Sequence, residues 1–147
     1  MLASQHRRAE DLLRQVASAT GESRRKLVLD LADALTVHTS LEERYFYPAV
    51  YDASTQELLL NALDQHITIK RELAELLRAD AASDAFAVEL RCLADEVARH
   101  IGDEENDLFP RVAAMLDAHQ RDSLAQVMTG AIDDLEDPEF REGVPPS

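Results

Sequence analysis

Residues 38–50, HTSLEERYFYPAV, return as HIGDEENDLFPRV at residues 100–112. Each copy reads H-x-x-x-E-E, followed by an aromatic residue, proline, one further residue and valine. His38 and Glu42 are four residues apart, as are His100 and Glu104. On a helix that spacing stacks an imidazole and a carboxylate on one face, so that both reach the same point. The chain outside these copies repeats more faintly. Gln5-His6 and Gln65-His66 each open a stretch with apolar residues on the same face, Leu13 and Val16 in one and Leu73 and Leu76 in the other. The lone histidines are offset by 60 residues and the H-x-x-x-E pairs by 62. The pattern describes a duplicated helix pair carrying two equivalent sets of metal-type ligands.

Apolar periodicity places the motifs on helices. The first runs from about Ser4 to Thr20 with His6, Ala9, Leu13 and Val16 in phase, and Gly21 ends it. The second starts near Ser23, carries Leu27, Leu31, Leu35, His38, Glu42 and Tyr45, and stops before Pro48. The third starts near Ser54 and aligns Leu59, Leu63, His66, Ile69, Leu73 and Leu77. The fourth starts near Ser83 and aligns Phe86, Leu90, Leu93, Val97, His100 and Glu104, with Pro110 expected to end or kink it. A fifth, shorter helix at about 120–135 is amphipathic through Leu124, Val127, Met128 and Ile132, and residues 137–147 read as an irregular tail. The expected fold is all-α: an up-down-up-down four-helix bundle over about residues 4–116, with a short additional C-terminal helix, in one domain spanning 1–136.

Composition agrees with this and narrows the function. At 147 residues the chain is long enough for a core without staples. An apolar share of 46% with four glycines and five prolines suits helices better than sheet. The net charge of -14, from 15 basic and 29 acidic residues, argues against nucleic-acid or anionic-membrane partners. Most of these acids read as solvated helix surface. The single Cys92 makes no internal disulfide and is expected to pack like a small apolar residue. No secretory leader or apolar run of about 18 residues is legible, so a soluble, cytoplasmic setting is expected.

His6, His38, His66 and His100 are separated by 32, 28 and 34 residues. A helix of about 20 residues is roughly 30 Å long, so one helix and a short loop return the chain to similar height. In an antiparallel bundle the four imidazoles meet at one level of the core. Taken singly, each would be a hydrogen-bonded structural histidine. Four of them, one per helix, two with a carboxylate at i+4, point instead to metal, because an unpartnered buried polar group costs about 1–3 kcal/mol. A buried His/Glu network without metal is the competing explanation. His119 falls out of register beside Asp117 and Gln120 and reads as surface or cap. Four imidazoles and two carboxylates suit iron, manganese or zinc. Two carboxylates related by pseudo-symmetry favour two metals with bridging carboxylates, since mononuclear zinc would use only three or four of the donors.

The order H … H-x-x-x-E … H … H-x-x-x-E, with E-E-x-x-x-[YF]-P following each pair, resembles the hemerythrin-like family, the HHE cation-binding domains. The resemblance covers about residues 4–116. It implies a four-helix bundle around a non-haem di-iron centre, two iron ions with oxo or hydroxo and carboxylate bridges. Manganese and zinc stay compatible with the donors. Carried over by position, His6 and His38 serve one iron, His66 and His100 the other, and Glu42 and Glu104 bridge. Oxygen-carrying members use a further histidine four residues from another on the third helix. Lys70 and Ala62 stand at the two positions four residues from His66, so that ligand is missing and the chain resembles the four-histidine members.

The resemblance implies reaction with oxygen, peroxide or nitric oxide in oxidative or redox stress. Where the centre turns over, the activity would be that of a peroxide- or nitric-oxide-consuming oxidoreductase; no catalytic side chain beyond the metal set is named. The alternatives are an iron or diatomic-gas sensor, whose exposed apolar patch would be the Leu124, Val127 and Ile132 stripe, and iron storage or delivery. No cysteine-bearing segment precedes His6, which weighs against the iron-centre repair members. The expected partner is a small diatomic or peroxide ligand, for a monomer or homodimer. Around the metal set, Glu10 and Lys70 occupy equivalent positions and are candidates for a third carboxylate and a charge or proton donor. Tyr45 and Tyr47 flank the site about one turn beyond Glu42, and Tyr45, nearer the stripe, is a candidate to hydrogen-bond a bridge or ligate iron. Glu43 and Glu105 are expected to orient histidines or face solvent, with Glu105 and Asp103 as weaker ligand candidates.

Overall fold

The computed structural model describes residues 1–136, and the expected irregular tail at 137–147 lies outside them. Helix α1 spans Leu2–Ser18, α2 Gly21–Leu41, α3 Gln56–Arg78, α4 Asp84–Asp103 and α5 Ala118–Glu136. Helices α2 and α4 do not stop at their H-x-x-x-E motifs. Each passes through one wider π-helical turn, Glu42–Phe46 and Glu104–Leu108, and resumes as an α-helical segment, Tyr47–Ala49 and Phe109–Met115.

This corrects the expectation that Pro48 and Pro110 terminate or simply kink their helices. A proline ring clashes with the carbonyl four residues before it and donates no hydrogen bond. The wide turn relieves both problems by letting the Tyr47 and Phe109 amides donate five residues back, to the Glu42 and Glu104 carbonyls. Each proline then sits in the first turn of the resumed segment, where no amide is required.

The boundaries follow local chemistry. Gly21, at the head of α2, has a φ of +61°, a left-handed conformation that only glycine takes without strain, and it turns the chain after a two-residue link from α1. Ser83 caps α4, its hydroxyl accepting from the Phe86 amide at 3.2 Å. Helix α1 packs on α2 and α4, α3 packs on α4, and α5 lies along the end of α2.

The core is divided into two apolar layers. One gathers Leu13, Val16, Leu31, Ile69, Leu76, Phe86 and Leu93 toward one end of the bundle. The other gathers Leu41, Phe46, Val50, Leu59, Leu108, Met128 and Leu135 beneath α5. His6, His38, His66, His100, Glu42 and Glu104, all at 5% exposure or less, form a buried polar set outside both clusters.

Three phase assignments differ from the sequence expectation. Leu76 is buried and Leu77 is 47% exposed, because α3 turns its a/d-type stripe through Ile69, Leu73 and Leu76. On α5 the buried face is Met128, Ala131 and Leu135, and Val127 lies 56% exposed beside it. Cys92 is exposed rather than packed, falling between the buried Leu90 and Leu93. No helix among the described residues is long and apolar enough to cross a membrane.

Candidate metal centre

Four helices deliver one histidine each to the same level. The His6 and His38 ring centroids are 4.8 Å apart and those of His66 and His100 4.7 Å, against 6.0 Å between His38 and His100 and 6.1 Å between His6 and His100. The two glutamates stand among the inward Nε2 atoms. Glu42 Oε1 lies 3.0 Å from His66 Nε2 and 3.1 Å from both His38 Nε2 and His100 Nε2. Glu104 Oε1 lies 3.0 Å from His6 Nε2 and 3.1 Å from His100 Nε2. One donor atom from each of His6, His38, Glu42, His100 and Glu104 falls within 4.8 Å of all the others. His66 joins them through Glu42.

Every outward ring nitrogen has its own acceptor, and the acceptors obey the sequence pseudo-symmetry. His38 Nδ1 meets Gln5 Oε1 at 2.6 Å and His100 Nδ1 meets Gln65 Oε1 at 2.9 Å. His6 Nδ1 meets Glu105 Oε2 at 2.7 Å and His66 Nδ1 meets Glu43 Oε2 at 2.8 Å. An oxygen that only accepts requires a proton on Nδ1, which leaves each Nε2 as the atom offered inward. Such outer hydrogen bonds fix the tautomer and orientation of metal-binding histidines. Both outer carboxylates are held in turn by cations, Glu43 by Lys70 Nζ at 3.0 Å and Glu105 by the Arg7 guanidinium.

One inner group was placed beside the site by the sequence but given no role there. The Tyr47 hydroxyl lies 2.7 Å from Glu104 Oε2, 3.0 Å from Glu42 Oε1 and 3.2 Å from His66 Nε2. Its pseudo-symmetric counterpart, Phe109, stacks on His6 with ring centroids 5.7 Å apart and carries no hydroxyl. Tyr45 is half-buried beside the apolar layer under α5 and does not reach the polar layer. The wide turn explains the exchange. A residue inserted into the turn moves the position stacked over Glu42 to Tyr47, five residues on, out of the α-helical phase that singled out Tyr45.

The other candidates are placed as follows. Glu10 pairs with Arg7 at 3.1 Å, one step removed from Glu105. Lys70 is exposed and reaches only Glu43. Glu105 orients His6. Asp103 Oδ2 accepts from Gln65 Nε2 at 2.6 Å and from Asn61 Nδ2 at 3.1 Å, so it sits behind Gln65 rather than among the inner donors. His119 is exposed at the start of α5.

Electrostatics in the metal-free layer follow from these contacts. Burial opposes charge on His100, but hydrogen bonds to Glu104 and Glu42 outweigh it and push its pKa up to about 10. Burial is likewise overcome at His6 by Glu104 and Glu105, and at His66 by Glu42 and Glu43, so both are raised. Glu42 is fully buried, which favours its neutral form, yet the charge of His38 and hydrogen bonds from the layer hold it well below the usual carboxylate range. Burial and the two glutamates push the Tyr47 phenol far above its ordinary value, so it stays a donor.

Hydrogen bonds within the layer do not satisfy every polar atom. His38 Nε2 and Glu42 Oε2 are buried with no hydrogen-bond partner, His38 Nε2 being close to Glu42 Oε1 but out of line with it. Two orphaned donors of complementary kind, in a layer of imidazole nitrogen and carboxylate oxygen, fit a cation of borderline hardness.

A four-helix bundle with a buried layer of converging imidazoles and carboxylates defines a helical cation-binding protein. Comparison with known families matches residues 1–112 to the hemerythrin HHE cation binding domain, and the chain belongs to that family. A crystal structure of a hemerythrin HHE cation binding domain-containing protein from Mycobacterium kansasii is similar to this chain with a TM-score of 0.81, covering 91% of this chain and 83% of that one at 22% identity. At that identity the likeness speaks for the fold. A search of curated proteins gives no significant match.

Proposed function

We propose that the chain is a non-haem di-iron protein that reacts with dioxygen, peroxide or nitric oxide. The observation that carries this reading is the convergence of four imidazole Nε2 atoms and two carboxylates in one buried layer, with His38 Nε2 and Glu42 Oε2 otherwise unpartnered. In this reading His6 and His38 would hold one iron and His66 and His100 the other, with Glu42 and Glu104 available to both. The close ring pairs, 4.8 Å and 4.7 Å between centroids, support that division. A single metal would take three or four of these donors and strand the remainder. Bound together, two irons supply adjacent one-electron couples, the chemistry that small oxygen and nitrogen species require.

The side chains supply orientation, dryness and a proton. Gln5, Gln65, Glu43 and Glu105 hold the rings so that Nε2 faces inward. The apolar layers on either side exclude bulk water, which strengthens every charge interaction between them. Tyr47 keeps its phenolic proton beside Glu42 and Glu104, where it can donate to an oxygen of an incoming small molecule. Neither register four residues from His66 adds an imidazole: position 70 is an exposed lysine bound to Glu43, and position 62 is a buried alanine. Fewer protein donors leave room for an exogenous ligand and favour reaction over reversible carriage.

The test is optical. Metal-free protein is loaded anaerobically with two equivalents of ferrous iron, exposed to oxygen and then returned to an oxygen-free atmosphere. Near-ultraviolet absorption that persists after deoxygenation is expected; bands that vanish would overturn the reactive reading in favour of a carrier or sensor.

A further inference from the structure

We infer that the two metal positions are unequal, and that Asp103 makes them so: the His66–His100 half takes a divalent cation first and holds it more tightly, while the His6–His38 half exchanges. The inference rests on the two-metal reading above and concerns how the chain's own outer residues divide it.

The two halves are built from equivalent parts; besides Tyr47 facing Phe109 among the inner groups, the pattern breaks behind the glutamines. Gln5 serves His38 as Gln65 serves His100. Behind Gln65 stands Asp103, whose carboxylate accepts from Gln65 Nε2 at 2.6 Å, with Asn61 donating to the same oxygen at 3.1 Å. The position equivalent to Asp103, 62 residues earlier, is Leu41, fully buried in the apolar layer under α5. No described residue replaces the missing acceptor behind Gln5. Instead Gln5, half-buried, lines a cavity of about 350 Å³ with Asp30 and Asp33, whereas Gln65 is 4% exposed beside a notch of about 10 Å³.

The consequence is a matter of amide orientation. A carboxylate only accepts, so Asp103 forces the Gln65 amide nitrogen toward itself and the Gln65 oxygen toward His100. That oxygen requires a proton on His100 Nδ1 and so makes Nε2 the ring nitrogen that gives up its proton to ligate a cation. The charged acceptor also polarises the amide, which strengthens its hydrogen bond to His100 and makes that imidazole a better donor to metal. Among the described residues no carboxylate is hydrogen-bonded to the Gln5 amide nitrogen as Asp103 is to that of Gln65. Turned over, Gln5 offers an N–H to His38 Nδ1 and stabilises the tautomer whose proton sits on Nε2, which cannot ligate. Binding in the His6–His38 half must hold Gln5 in one of two orientations; binding in the other half finds Gln65 already set. Outer-shell partners of this kind are typically worth 10–100-fold in metal affinity.

The test titrates metal-free protein anaerobically with Co²⁺, following visible absorption and heat. Two events separated by about ten-fold or more are expected. Asp103→Leu, which reproduces the residue at position 41, should weaken the tighter event about ten-fold and leave the weaker one in place. Asp103→Asn, which retains an acceptor without the charge, should fall between. In the cobalt form the shifted Nδ1–H proton signal of His100 should exchange faster in Asp103→Leu, with that of His38 unmoved, a selectivity that general destabilisation would not produce. Two equal events in the unaltered protein, or Asp103 variants that shift both events alike or neither, would overturn the inference and leave two-metal binding intact. Saturation at one Co²⁺ per chain would overturn the two-metal reading itself.

Discussion

The Tyr47 hydroxyl donates to Glu104 Oε2 at 2.7 Å, joining the end of the first H-x-x-x-E-E repeat to the carboxylate of the second across the bundle core. The same hydroxyl is 3.0 Å from Glu42 Oε1, so one phenol sits between both glutamates. In Tyr47→Phe the shape is kept and this donor is lost, as at Phe109 on the opposite side. The metal-free variant is expected to lose about 1–3 kcal/mol, since Glu104 Oε2 is then buried without a partner, while Glu42 Oε1 keeps His66 and His100. Chemical denaturation measures it; an unchanged free energy would place the hydroxyl outside the stabilising network.

The stability of the metal-free protein should depend on pH in a defined window. His6, His66 and His100 are raised on folding, so their contribution is complete below the ordinary histidine value of 6.5 and is lost as pH rises through the folded values, about 10 for His100. Glu42 is depressed, so its contribution is complete above 4.5 and is lost as pH falls through its folded value. Metal-free protein should therefore be most stable between about 4.5 and 6.5. Thermal melts across pH test this, and a maximum above pH 8 would contradict it.

Metal should reverse that preference. The histidines must give up their inner protons to bind a cation, so loading at pH 7 releases protons and weakens as pH falls. Calorimetry in buffers of different ionisation enthalpy should report net proton release. Uptake without release would mean that the layer is neutral before metal arrives.

The bridging assignment bears on Glu42 and Glu104 separately. Glu42→Ala and Glu104→Ala should each prevent loading of two metals per chain, because each carboxylate stands among imidazoles from both halves. Full retention in either variant, measured as bound iron per chain, would remove that residue from the bridge.

Much of this arrangement was legible because it repeats. His6, His38, His66 and His100 fall in phase with the apolar stripes of their helices, and the i+4 glutamates fall with them, so the layer follows from spacing alone. Tyr47 was legible only as flanking the site, because α-helical phase puts Tyr45 and Phe46, three and four residues on, over Glu42, and the wide turn at Glu42–Phe46 moves that place to the fifth residue. The prolines at 48 and 110 were the signal, read as helix ends rather than as the cause of a wider turn. The Gln5-His6 and Gln65-His66 repeat was visible, but each glutamine serves the histidine of a neighbouring helix, a contact that sequence spacing does not encode. Asp103, in an acidic run, read only as a weaker ligand candidate, and its role behind Gln65 was not legible. Only the packing of α3 on α4 gives it Gln65.

The central claim is that six side chains, His6, His38, Glu42, His66, His100 and Glu104, hold two irons in one layer. Its most direct test is quantitation of iron bound per chain after anaerobic saturation with ferrous iron and removal of excess, with Mössbauer spectra of the enriched isotope recorded before and after oxidation. Two irons per chain, magnetically coupled once oxidised, are predicted. One iron per chain, or two without coupling, would contradict the account.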